Sequence, residues 1–246
     1  MTAHTIVGPE QWQAAREALL VREKAHTRMG DELARQRREL PWVRVVKHYC
    51  FDTEDGPRTL AELFGGRSQL LVYHFMFGPG YQPGDPVNSS IADTLDALVP
   101  HLQALDVTPL LVSQAPLEKL QTYKQRMGWR LGWVSAAPSD FNVDFGASTP
   151  ERLGQAIVPP QDGLPAIVAQ NAAAAGTDVP SYLSQAPAVS VFALQDGAVY
   201  QTYATTWRGV EFLMGYYPVL DRMPKGRDEG DGWQLWLRRH DEYGNG

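Results

Sequence analysis

The segment from Gln69 to Phe77 constrains this chain most, because it is apolar almost throughout, and its run from Leu70 to Phe77 is interrupted only by His74. A bilayer span takes roughly 20 apolar residues, so the run is far too short for one. It is also too evenly apolar for a strand with one wet face. Such a run reads as a central strand buried on both sides of an α/β sheet. A loop rich in Gly and Pro follows over residues 78–86. It leads into a helical pattern near Ser90 to Leu102, with Ile91, Leu95, Leu98, Val99 and Leu102 on one face. Pro100 is expected to kink or end that helix. Val107 to Ser113 reads as the next buried strand, and Leu117, Leu120, Tyr123 and Met127 mark a helix stopped by Gly128. Strand, helix, strand, helix in this order implies parallel pairing through right-handed crossovers.

The flanks are less uniform. Trp12, Ala15, Leu19 and Leu20 recur at helical spacing, and the first forty residues read as helix, with a break expected at Gly30 and an end at Pro41. Arg35, Arg37 and Arg38 are interleaved with acids, as on a solvated helix face. Val43 to Phe51 reads as a strand, Asp52 to Pro57 as a turn, and Leu60 to Phe64 as a short helical turn. Residues 131–187 are the least regular, with Pro159-Pro160, Gly163 and Pro165, and are expected to form a lid or helical insertion. Val189–Leu194 and Val199–Tyr203 read as a hairpin joined at Gln195-Asp196-Gly197. A helix is expected over Trp207 to Tyr217, then a polar tail with Trp233, Trp236 and His240.

Composition narrows the function classes. The 246 residues are 43% hydrophobic and 20% charged, which suits one large folded domain or two small ones and excludes a mostly disordered chain. A net charge of −6 argues against a broad nucleic-acid surface. Met1 to Trp12 has no basic segment followed by an apolar one, so no secretory signal is read and a cytoplasmic location is expected, without membrane attachment. The single cysteine, Cys50, excludes an internal disulfide and any metal site built on several thiolates.

From Gln69 onward the order strand, helix, strand, helix, hairpin, helix is that of a thioredoxin-like fold. Local strings sharpen this: Glu39-Leu40-Pro41-Trp42-Val43, Leu63 through Leu70, Tyr73-His74-Phe75-Met76-Phe77-Gly78, Met127-Gly128-Trp129-Arg130, Ser139-Asp140-Phe141-Asn142, Pro224 through Glu229, and Arg238 through Tyr243. Together they resemble a bacterial thioredoxin-like family of unknown function (domain of unknown function 899), whose members are often described as predicted dithiol-disulfide oxidoreductases. The resemblance covers nearly the whole chain except roughly residues 150–186. It implies a thioredoxin-like α/β domain over 43–246, an N-terminal helical extension over 1–42, and an inserted segment near 150–186. The family usually carries Cys-Pro-x-Cys at the start of the first long helix. Here Asp85-Pro86-Val87-Asn88 stands there, with Asp85 and Asn88 in place of the cysteines. Thiol-disulfide exchange needs an attacking thiolate and a resolving thiol, and this segment offers neither.

The candidate residues follow. Asp85-Pro86 suits a helix N-cap followed by its first helical residue, with Ser90 and Asp93 as a competing start. Alternatively Asp85 is a general base, its pKa raised by burial, in a pocket that also presents Asn88, Ser89 and Ser90. His74 lies toward the carboxyl end of its strand, where open α/β sheets bind ligands, and would pair with Asp85; a hydrogen-bonded core histidine is the plain alternative. Tyr73 points to the opposite face. By the resemblance, Pro187 is the cis-proline facing the helix start. Asp85, His74 and Asn88 are thus the candidate catalytic residues, and Ser89, Ser90 and Pro187 the candidate substrate contacts. Cys50 is expected to be buried and inert. Asp140, Asn142 and Asp144, with Glu151, copy part of a calcium-loop spacing, but Phe145 stands where that loop needs Gly. His240, Asp241 and Tyr243 either reach the site or dock the tail.

The expected function is thiol-independent use of the former redox pocket for a small molecule, with a cofactor-free enzyme preferred to a binding protein. Neither a metal nor a cofactor is expected, and a homodimer is compatible. The alternatives are thiol or peroxide chemistry through Cys50 or a partner's thiols, and an interaction module using Trp207, Trp233 and Trp236.

Overall fold

The computed structural model describes residues 4–149, 163–230 and 232–244. The chain divides into two compact units, Met1–Trp42 and Val43–Gly246. The first is a single helix, α1, over Pro9–Arg38. Pro9 opens it, Glu10 sits in its first turn, and Arg35, Arg37 and Arg38 sit in its last, each sign favourable to the helix dipole. Gly30 does not break it. One interior glycine costs about 1 kcal/mol relative to alanine, which a helix of this length tolerates, and Arg35 adds pairs to Glu32 and Glu39 in the following turns.

The second unit is built on one sheet of the eight strands described. They are β1 (Val43–Arg44), β2 (Cys50–Thr53), β3 (Gly56–Thr59), β4 (Gln69–His74), β5 (Val107–Ser113), β6 (Gly132–Ser135), β7 (Ala188–Gln195) and β8 (Ala198–Thr206). Their order is β1-β8-β7-β4-β5-β6-β2-β3. Strand β4 runs parallel to β5, from Gln69 opposite Val107 to His74 opposite Val112. Helix α2 (Pro86–Ala104) forms the crossover between them. Strand β7 is antiparallel to β4, with Val189 opposite Tyr73, and β8 is antiparallel to β7. A β8-β7-β4-β5 core with these directions and a helical crossover is thioredoxin-like. Helix α3 (Leu117–Met127) precedes β6, which pairs parallel to β5.

Alternation along β4 sends its side chains into two cores. Tyr73 packs with Phe75, Phe77, Ile91, Leu95, Leu120 and Tyr123 on the face covered by α2 and α3. Leu70 and Val72 pack with Val112, Phe192, Phe51, Phe64 and Phe141 on the other.

Several boundaries differ from the sequence reading, for local reasons. The strand expected over Val43 to Phe51 is two strands, and the turn after it closes a hairpin in which Thr53 faces Gly56. Strand β4 stops at His74, although Phe75 to Phe77 stay buried and Phe75 N–H still reaches the Val112 carbonyl. Helix α2 starts at Pro86 rather than Ser90 and runs through Pro100, which is exposed. The irregular region holds β6, then α4 (Phe141–Asp144), α5 (Ala166–Ala174) and α6 (Val179–Leu183). Residues 150–162 of the expected insertion, including Glu151 and Pro159-Pro160, lie outside the described residues. Past the hairpin, a 3-10 helix over Trp207–Leu213 and a short α7 (Tyr217–Leu220) replace the single helix expected. The hairpin turn itself is as read: Asp196 and Gly197 hold φ of 52° and 76°, the paired positive angles of a primed turn. No helix among the described residues is long and apolar enough to cross a membrane.

Candidate functional site

The loop from Gly78 to Asp85 brings the chain from β4 to the first turn of α2, and Gly84 fixes that approach. A Cβ there would stand 2.7 Å from the rings of Phe75 and Tyr123, so only glycine lets the backbone pass. Asp85 then caps α2. Its Oδ1 accepts the N–H groups of Val87 at 2.8 Å and Asn88 at 3.0 Å, and its Oδ2 accepts the Asn88 side-chain amide. This settles the choice of helix start: the carboxylate accepts from orphan amides at the N-terminus, while Pro86 has no N–H and needs no acceptor.

Asp85 is fully buried. Burial pushes its carboxyl up to about 6, against the hydrogen bonds from Asn88 and Val87 and the attraction of Arg239. Asn88 continues the network: its Oδ1 accepts the Tyr73 hydroxyl at 2.6 Å and the Met76 N–H at 3.2 Å. Ser89 donates to the Asp85 carbonyl and meets the Tyr123 hydroxyl at 2.9 Å. Arg239, from the C-terminal tail, reaches the same spot. Its guanidinium donates to the Gly84 carbonyl, the Tyr123 hydroxyl and the Ala174 carbonyl, and pairs with Glu242. Asp85, Asn88, Ser89, Tyr73, Tyr123 and Arg239 therefore form one connected polar cluster under the start of α2.

His74 is not part of it. The ring sits on the other face of β4, between Asn142 Oδ1 at 3.1 Å and Ser190 Oγ at 2.9 Å, stacked on Phe141. Burial holds its pKa down, to about 4. The expected His74–Asp85 pair is not made, because strand alternation gives the helix-facing position to Tyr73 instead. Ser90 also points elsewhere, to the Val87 carbonyl and the Tyr216 hydroxyl. No cis peptide occurs among the described residues, so Pro187 is trans.

Pro187 and Asn88 do share a wall. They line an apolar cavity of about 390 Å³ beside the first turns of α2. Val87 and Ile91 of α2, Ile167, Val168 and Asn171 of α5, and Tyr182 of α6 supply much of its surface, with Met76 and Met214. Trp207, Arg208, Glu211, Trp233 and Gln234 complete the lining; Arg208 pairs with Glu211 at 2.7 Å. Trp207 and Gln234 hold φ of 52° and 60°, left-handed values that strain residues other than glycine. Asp85, Ser89 and Ser90 are not on the cavity wall.

The remaining candidates resolve structurally. Lys47 bridges Asp140 and Asp144, and Asn142 holds His74, so the calcium-like spacing is spent on an ion pair and a core hydrogen bond. Asp241 pairs with Arg126, and His240 meets Asp93 at 2.7 Å, which docks the tail. Cys50 is exposed on β2, contrary to the burial expected. Sequence reasoning missed Tyr73, Tyr123, Arg239 and Asn171. Tyr73 had a signal, since it shares its strand face with Phe75 and Phe77 just before the loop to α2. Asn171 had a faint one, as a buried amide in an alanine-rich helix. Arg239 falls within the string Arg238 through Tyr243, but nothing local points it at α2, because its contacts are 155 and 116 residues away in sequence.

No curated protein matches the chain. Among solved structures, it is similar to a cysteine-to-serine mutant of peroxiredoxin Q from Xanthomonas campestris (TM-score 0.45, 12% identity, 72% of this chain and 97% of that one). It is also similar to the peroxidoxin BcpB from Mycobacterium tuberculosis (TM-score 0.41, 12% identity, 68% and 85%). A yeast mitochondrial 1-Cys peroxiredoxin aligns with TM-score 0.39 and 16% identity over 78% and 79%. The family profile described as bacterial protein of unknown function (DUF899) matches residues 1–243, and this chain, a thioredoxin-like protein with Asp85 and Asn88 where a dithiol pair would stand, belongs to that family.

Proposed function

We propose that this protein binds a small apolar molecule in the cavity between α2, α5 and Pro187, without thiol chemistry. The observation that carries this reading is the cavity itself. Its volume of about 390 Å³ lies within the ordinary range of ligand sites, and its wall is mostly apolar with a few buried amides. Strained backbone at Trp207 and Gln234, both on its lining, supports the reading, because such strain gathers at ligand clamps.

Binding is favoured over catalysis by the state of Asp85. A general base needs a free lone pair within reach of substrate. The Asp85 carboxylate is instead occupied by Val87 and Asn88 and stands off the cavity wall. Its role is to position Asn88 and the first turn of α2. A dithiol reaction has no support, with one cysteine in the chain and that one on β2.

The test fills the cavity. Val168 lines it from α5 and is only partly buried, so Val168→Trp should occupy the space with little strain elsewhere. Wild-type protein is expected to bind uncharged apolar probes such as 1-octanol, read by tryptophan fluorescence from Trp207 and Trp233. Val168→Trp should lose that binding while keeping its melting temperature within a few degrees. Equal binding by both proteins would place the probe elsewhere and overturn the reading.

A further inference from the structure

Resting on that reading, the geometry points to a more specific ligand: an uncharged apolar molecule carrying one hydrogen-bond donor, held by the Asn171 side-chain oxygen.

The argument starts from an accounting of polar atoms. Among the described residues, three buried side-chain polar atoms lack a partner: Arg16 Nη1, Ser139 Oγ and Asn171 Oδ1. Of these residues, only Asn171 lines the cavity. It is 4% exposed, and its side chain lies beside Tyr182. A buried amide oxygen without a donor costs about 1–3 kcal/mol, and native structures rarely carry such a group unserved. The other amides on the wall make bonds of their own. Asn88 accepts from Tyr73 and Met76 and donates to Asp85. Gln234 donates to the Tyr217 hydroxyl at 2.7 Å. Asn171 Oδ1 is therefore a buried acceptor without a donor, on a wall that is mostly apolar.

Charge narrows the class further. The ionised side chains on the lining, Arg208 and Glu211, neutralise each other. A carboxylate or ammonium drawn into the apolar interior would lose its hydration and find no free counterion. The chemistry left is an alcohol, phenol or neutral amide N–H on a hydrocarbon or aromatic body.

Three probes of one length separate the possibilities: 1-octanol, its isomer 1-methoxyheptane, and octanoate. The ether has the alcohol's formula and no donor. Affinities for wild type and Asn171→Leu would be read by calorimetry or tryptophan fluorescence. Wild type should bind the alcohol about tenfold or more tightly than the ether, the worth of one buried hydrogen bond, and octanoate more weakly than either. In Asn171→Leu the alcohol's advantage should vanish while both neutral probes still bind. Should that variant fail to fold, the wild-type comparison of alcohol with ether decides alone. Ether binding as tight as alcohol would overturn the donor assignment and leave the cavity reading standing. Octanoate binding as tight as the alcohol would overturn the uncharged class. Absence of binding by all three would overturn both this inference and the function on which it rests.

Discussion

Strand β4 carries two buried polar clusters, one on each face, and they differ in what surrounds them. On one face, His74 lies between Asn142 and Ser190, stacked on Phe141, with aromatic core all around. On the other, Tyr73 bonds Asn88, which holds Asp85 and stands on the wall of a cavity. The first cluster is closed on itself and ends in packing. The second ends at an open volume with an unserved acceptor across it. Both have residue types that suggest catalysis, and adjacent positions, Tyr73 and His74, feed them. What separates the two networks is what lies beyond them: packed core on one face, an open volume on the other.

The two clusters also oppose each other electrostatically, which gives the largest expected effects. In the folded protein the Asp85 carboxyl is raised to about 6 from 3.8, so the folded state holds its proton more tightly than the unfolded chain. Stability from this group is full below about pH 4 and is lost as pH rises to about 6. His74 is lowered to about 4 from 6.5, so the unfolded chain takes its proton first, and stability is lost as pH falls from about 6.5 to about 4. Each contribution is roughly 3 kcal/mol by linkage, of opposite sign, and they largely cancel in the wild type. Asp85→Asn should therefore expose the histidine slope, with denaturation midpoints rising steeply from pH 4 to 6.5. His74→Gln should expose the aspartate slope, falling over pH 4 to 6. Parallel profiles in both variants would show that the two faces are not electrostatically distinct.

Next in size is the loss of each hub outright. Asp85→Ala strands the Val87 and Asn88 donors in a buried turn and should cost about 2–4 kcal/mol, more than a surface cap alone. His74→Leu should cost about as much, by stranding Asn142 and Ser190. Probe affinity distinguishes them. Asp85→Ala should also weaken binding, because Asn88 lines the cavity and loses its anchor; His74→Leu should leave binding unchanged. If both variants bind alike once refolded at equal stability, the site does not depend on the α2 cluster.

These contrasts also show what is legible in the sequence. The order β4, α2, β5, α3, hairpin can be read because each long element carries its own period, and the hairpin turn carries its own Asp196-Gly197 signal. The short pieces cannot. Strand β6 has four residues, Gly132–Ser135, and α4 four more, too few for any period to register. At the site, Asp85 and Asn88 stand out because they occupy a position where the resemblance expects chemistry. His74 is paired with the wrong partner when position along the strand is weighed and face is not. Residues that arrive from afar, Arg239 from the tail and Asn171 from α5, carry no local signal that points them at the start of α2 or at the cavity.

A smaller effect is expected at Gly84, which couples the site to its packing. Gly84→Ala puts a Cβ 2.7 Å from Phe75 and Tyr123, which are buried and can yield only by shifting the aromatic cluster. The cost should be about 1–3 kcal/mol, read as a lowered denaturation midpoint with little change in its slope. A neutral Gly84→Ala would mean that the approach of the loop to α2 is looser than this geometry requires.

The smallest effect is expected at the residue a thiol mechanism would need most. Cys50 is exposed at the start of β2, opposite Thr59 of β3, in the sheet's outer hairpin. The cavity, by contrast, is lined from α2, α5, α6, the segments after β4 and before β7, the 3-10 helix after β8 and the tail at Trp233-Gln234. Its side chain fills no core position, so Cys50→Ser should change stability by less than about 0.5 kcal/mol. It should react stoichiometrically with a disulfide reagent such as dithionitrobenzoate in the native protein, since no packing shields it. Alkylating it with iodoacetamide should leave octanol affinity unchanged, because Cys50 is not on the cavity wall. The measurement is a titration of probe binding before and after alkylation, with mass spectrometry confirming one added group. Loss of binding on alkylation would tie Cys50 to the site after all and revive a thiol-dependent function.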